Sequence, residues 1–162
     1  MAVKILKNKK GISLIEILIV VAIINIALIG FLGVLCSSLK VLVLVEQKNR
    51  ADFLAQEALE IVRNFRDTTD WDVNGLGTLN VETAYHTQKS ESPAGWLLIL
   101  GNETINGFTR SIVFKNVFRD TNDNIVESGG VLDTDTKKIV VTVLWGSSKS
   151  WELVTYLTNW QQ

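Results

Sequence analysis

The chain has 162 residues, 47% of them hydrophobic and 20% charged, with a formal net charge of −1. That length supports one domain of modest core beyond any anchor, and a single cysteine, Cys36, excludes an intramolecular disulfide. From Asp67 onward 7 basic residues stand against 12 acidic ones, a net of −5, which argues against a broad basic footprint for nucleic acid.

The first segment, Met1 to Gly11, is short and basic, with Lys4, Lys7, Lys9 and Lys10 and no acid. An apolar run follows to Cys36, and Glu16 is its one charge before Lys40. As a helix, the stretch from Ile12 to Leu35 spans about 36 Å, enough to cross a hydrocarbon core of roughly 30 Å with some tilt. A carboxylate near one end of such a span is costly in lipid, so Glu16 is a candidate functional residue. The run is too long for the apolar region of a cleaved secretory signal, and no A-x-A site follows it. Leu35 is too bulky for a lipoprotein site at Cys36. Lysines on the leader keep it cytoplasmic and put the bulk of the chain outside.

The block Lys9-Lys10-Gly11-Ile12-Ser13-Leu14-Ile15-Glu16 resembles the class III signal sequence of type IV pilins and pseudopilins. That family has a basic leader ending in Gly, a hydrophobic residue at +1 and Glu at +5; here these are Gly11, Ile12 and Glu16. The resemblance implies leader cleavage between Gly11 and Ile12 by a prepilin peptidase, N-methylation of Ile12, and a role for Glu16 in assembly. It implies other pilin subunits, the pilus assembly platform and the membrane as partners, and no cofactor. The protein would sit in the cytoplasmic (inner) membrane as a single-pass prepilin, then enter an extracellular filament. Ala55-Gln56-Glu57-Ala58-Leu59-Glu60-Ile61-Val62-Arg63-Asn64 also resembles the corresponding stretch of PilV-like minor pilins.

Along the apolar run, Asn25, Gly30 and Gly33 weaken the helix locally. Members of the family often carry a proline here; Gly30-Phe31-Leu32-Gly33 is the nearest substitute, as a flexible point or as a close-packing site between helices. Cys36 reads as a small buried hydrophobe. Beyond a mostly apolar bridge from Ser37 to Val45, Leu54, Ala58, Ile61, Val62 and Phe65 recur at helical spacing, with Leu59 on the flank. No Gly or Pro interrupts residues 34–67. One helix is therefore expected over 12–66, transmembrane over 12–35 and amphipathic over 46–66, after a cleavable leader, 1–11, and before a β-rich head, 67–162.

Asp67-Thr68-Thr69-Asp70 ends the helix in turn-formers. Trp71 to Gly95, with Pro93, reads as a long connection holding one short strand near Leu79 to Thr83, and lone His86 reads as a surface or turn residue. Trp96 to Leu100 and Phe108 to Phe118 read as β, the second placing Phe108, Ile112, Phe114 and Phe118 on one face. Lys138 to Trp145 and Trp151 to Thr158 read as a hairpin with a five-residue loop. Pairing Trp145 with Trp151 sets Val143 opposite Leu153, Val141 opposite Thr155 and Ile139 opposite Leu157. That face needs a cover, and the helix stripe supplies it. The expected fold is α+β: a long N-terminal helix, its first half membrane-inserted, packed on a small antiparallel sheet, the lollipop that the resemblance also implies.

No catalytic constellation is visible: the chain has one His and one Cys, and no G-x-S-x-G, Walker loop or H-E-x-x-H. Asp120-Thr121-Asn122-Asp123-Asn124 resembles the start of a calcium loop, with Asp133 and Asp135 as further candidates. It lacks Gly at the sixth position, where Ile125 stands, and Val131 replaces the closing Glu. No metal is assigned. Trp71, Trp96, Trp145, Trp151 and Trp160 read mostly as core anchors of the head. The expected function is that of a non-enzymatic minor pilin. A type II secretion or competence pseudopilin is the alternative by the same mechanism, and a membrane-anchored binding protein that never polymerises is the alternative of another class.

Overall fold

A computed structural model describes Gly11, residues 13–91 and residues 94–160. The expectations placed on the leader residues 1–10, on Ile12 and on Pro93 fall outside the described residues. One helix, α1, runs unbroken over Leu14–Thr68. Ser13 closes its first turn, its carbonyl accepting the Glu16 N–H at 3.0 Å and the Ile17 N–H at 3.3 Å. Gly30 and Gly33 lie within regular helix; each costs about 1 kcal/mol relative to Ala, too little to break it. The helix ends where hydroxyls take its last carbonyls, Thr68 Oγ1 on Asn64 O at 2.8 Å and Thr69 Oγ1 on Phe65 O at 2.6 Å.

The chain divides into two compact units, Met1–Val45 and Glu46–Gln162. In the first, the large apolar side chains from Leu14 to Val45 are exposed all round the helix. Cys36 is exposed with them, correcting the expectation of a buried thiol. Among the described residues of this unit no other element packs on the helix.

The second unit holds a seven-stranded antiparallel sheet among the described residues. Its strands are β1 Ala84–Glu91, β2 Ala94–Leu100, β3 Glu103–Ile105, β4 Phe108–Arg119, β5 Ile125–Val126, β6 Val131–Trp145 and β7 Lys149–Thr158. The order is β2-β1-β4-β6-β7, with β3 and β5 also paired to β4. Ala51, Leu54, Ala55, Ala58, Val62 and Phe65 of α1 share one core with Phe108, Ile112, Phe114, Ile139, Val141 and Val143 of the sheet. The small alanines bring the helix backbone close to the sheet, and alternation turns those strand residues to one face. The fold is α+β and pilin-like, as the sequence pattern predicted.

Three local expectations are corrected. Residues 79–83 form turn rather than strand, and the strand lies later, at β1. Its polar sequence Tyr85-His86-Thr87-Gln88-Lys89 hides the signal, because the apolar partner that holds it is β2, in the register Tyr85↔Leu100 to Glu91↔Ala94. His86 is accordingly a half-buried strand residue opposite Ile99. The β4/β6 ladder then shifts register between Asn116 and Val117, where Val117 is buried at 2% exposure and Phe118 is half-buried. In the β6–β7 hairpin Trp145 pairs with Lys149, Val143 with Trp151 and Val141 with Leu153. The turn is Gly146-Ser147-Ser148, with Gly146 at φ +61°, a left-handed conformation that glycine adopts freely. The ladder is thus two residues out from the sequence pairing. An even shift keeps each side chain on its face.

Candidate functional site

At the start of α1, Gly11 is exposed, and no atom lies within 4 Å of where a side chain at that position would begin. The backbone there is open to solvent. Glu16 projects from the first turn, exposed, where the unpaired N–H groups of a helix terminus favour negative charge. Gly11 and Glu16 are thus brought to one helix end, while Ile12 lies outside the described residues.

Downstream, the polar groups of the apolar run satisfy themselves. Asn25 Nδ2 donates to Val21 O at 2.8 Å and Ser37 Oγ to Gly33 O at 3.0 Å, bonds that an apolar surrounding does not disturb. This leaves Glu16 and Lys40 as the charged residues between Ser13 and Val45. The helix is long and apolar enough to cross a membrane.

In the second unit the sequence reading passed over Arg110, which is only 3% exposed among apolar neighbours. Its Nη1 donates to Leu54 O at 2.7 Å and to Glu57 Oε2 at 2.9 Å, its Nε to Glu103 Oε1 at 2.9 Å, and its Nη2 to Thr87 Oγ1 at 3.1 Å. One guanidinium therefore ties α1, β1 and β3 to β4. The available signal was parity: position 110 lies on the face of Phe108 and Ile112, where an arginine needs partners.

Tryptophans do similar work at the edges of the core. Indole N–H groups donate from Trp151 to Asp52 at 2.9 Å, from Trp145 to Gln47 at 3.3 Å, from Trp71 to Thr134 O at 3.2 Å and from Trp160 to Asp67 at 3.2 Å. The first two bind the hairpin to α1 through a polar handle on an apolar ring.

The acidic loop is occupied by its own chain. Asp120 Oδ1 accepts the N–H groups of Asn122 and Asn124 at 2.8 and 2.9 Å, and the Asn124 bonds, ahead of a small opposing effect of burial, lower its pKa. Asp133 receives Arg119 Nε at 2.6 Å and donates no carboxylate to the loop. Among the described residues no group of three His, Cys, Asp or Glu side chains could hold a metal.

Compared with known proteins, residues 6–32 match the model of the prokaryotic N-terminal methylation motif. This is the class III signal sequence, consistent with the type IV pilin and pseudopilin family, and it supports a type IV pilin-like prepilin. No curated protein and no solved structure matches the chain. The motif points to a structural subunit that prepilin peptidase processes and that assembles with other pilin subunits, and with the exposed apolar helix it points to membrane anchoring.

Proposed function

We propose that the protein is a non-enzymatic minor pilin, PilV-like, of a type IV pilus or related filament. It inserts in the cytoplasmic membrane as a single-pass prepilin with its N-terminus in the cytoplasm. Prepilin peptidase cuts between Gly11 and Ile12, Ile12 is N-methylated, and the assembly platform moves the subunit into an extracellular filament. The observation that carries this reading is the methylation motif running directly into a helix whose apolar surface is bare on every side. Glu16 acts in assembly. Cleavage frees the amine of Ile12, cationic near neutral pH, and in an apolar bundle the amine and the carboxylate each gain most by meeting an opposite charge.

Intact mass of the protein from sheared filaments of its native host tests this reading. The expected species begins at Ile12 and carries one added methyl group. Glu16→Ala, expressed beside the wild type, should be processed and membrane-resident yet depleted from filaments. Recovery of a mature form that keeps Met1 to Gly11 would overturn the reading. Filaments holding both proteins in proportion to their membrane levels would remove the role of Glu16.

A further inference from the structure

The exposed apolar helix is longer than a membrane is thick. From Leu14 to Val45 it measures about 48 Å, against a hydrocarbon core of about 30 Å. Tilt alone would have to reach about 50° to hide it, outside the range that transmembrane helices adopt. With Ile12 to Leu35 in the membrane, Val41, Leu42, Val43, Leu44 and Val45 lie beyond it, each between 48 and 63% exposed. Five consecutive residues at about 100° each circle the helix completely. A single partner face cannot cover such a sleeve; neighbours on several sides can.

Lys40 stands at the entrance to this sleeve. The positions one turn away on its own helix, Cys36, Ser37, Val43 and Leu44, offer no carboxylate. The next acid along the chain, Glu46, is six positions on and about 120° around the axis, out of reach of a pair within one helix. A cation enclosed by apolar helices without a counter-charge is costly, so covering the sleeve requires a carboxylate from another chain. In the apolar segment that carboxylate is Glu16.

We infer that Lys40 of one subunit pairs with Glu16 of a second copy of this chain, set 24 residues, or about 36 Å, along a parallel helix. Glu16 and Lys40 lie about 120° apart around one helix. Each copy therefore offers Glu16 to one neighbour and Lys40 to another. A contact of that kind does not close on itself and generates an open helical assembly. A carboxylate has about four acceptor positions, so Glu16 accommodates Lys40 together with the Ile12 amine. The inference rests on the filament reading above.

The test uses the full chain in its native host, with Cys36→Ser as background. Lys40→Gln should reach wild-type levels in the membrane and fall about tenfold or more in sheared filaments beside wild type, as the loss of one member of a desolvated pair does. Lys40→Arg should restore incorporation. Val20 and Leu44 lie one turn beyond Glu16 and Lys40, so Val20→Cys with Leu44→Cys should give oxidised ladders in filaments. Each single-cysteine protein and the pair Val20→Cys with Leu32→Cys should give none of comparable yield. If wild type enters filaments and Lys40→Gln enters equally, or the 20–44 ladder is absent, the pairing is wrong while the filament reading stands. If wild type never enters filaments, the filament reading fails and the pairing with it.

Discussion

Arg110 shows what a single residue contributes to the head. Its guanidinium replaces water with four protein acceptors, two of them on Glu103 and the Leu54 carbonyl, which lie largely or wholly inside. The Glu57 arm is 45% exposed and adds little in solvent. Arg110→Ala would take the cation from the largely buried Glu103 carboxylate, leaving it the Thr87 hydroxyl, a loss of about 3–5 kcal/mol. That is a large part of the 5–15 kcal/mol that typically holds a domain together. Arg110→Lys should recover only part of it, since an ammonium lacks the planar fork that reaches several acceptors at once. Urea midpoints of the head decide the matter, and an unchanged midpoint for Arg110→Ala would mean that the network is dispensable.

Among the elements, β6 departs furthest from regularity. At its irregular step Val117 pairs with Asp133 while Asn116 pairs with Lys137, leaving Thr134, Asp135 and Thr136 outside the β4 ladder. Their backbone groups find other partners: Trp71 Nε1 donates to Thr134 O, and the Asn159 N–H to Asp135 O at 2.8 Å. Asp133 sits at this step. Burial opposes its charge, but the bonds from Arg119, Thr136 and the Asp135 N–H outweigh that and hold its pKa below the usual carboxylate value of 3.8. A carboxylate with a lowered folded pKa stabilises above its unfolded value, and that contribution fades as pH falls through the folded one. Asp133→Asn should therefore be less stable than wild type at neutral pH, and the gap should close as pH drops below about 4. Chemical melts across that range check it; a gap independent of pH would assign the effect to shape rather than charge.

At the scale of the whole molecule, two units follow different rules. Glu46–Gln162 owns a complete core, from Ala51 and Phe65 on the helix to Val143 and Leu157 on the sheet. Met1–Val45 owns none among its described residues, its surface being made for lipid or for other helices. A fragment beginning at Glu46 should accordingly be soluble, monomeric by light scattering, and unfold in one cooperative transition. The full chain should require detergent. Aggregation of the fragment, or a broad non-cooperative melt, would show that its core depends on the preceding helix.

The sequence by itself determined the signal motif, the apolar span and the α+β class. These follow from local periodicity and composition, which act within a few residues. It also determined which residues of the β6–β7 hairpin share a face, because a period of two survives an even shift. Only the tertiary structure decided the register itself, where a left-handed Gly146 shortens the turn. It alone revealed β1, a polar strand held by its partner β2. It alone showed that Arg110 belongs inside. Each of these depends on groups far apart in the chain, such as Leu54 and Glu103 around one guanidinium, and no pattern of neighbouring residues records which distant partners will be there.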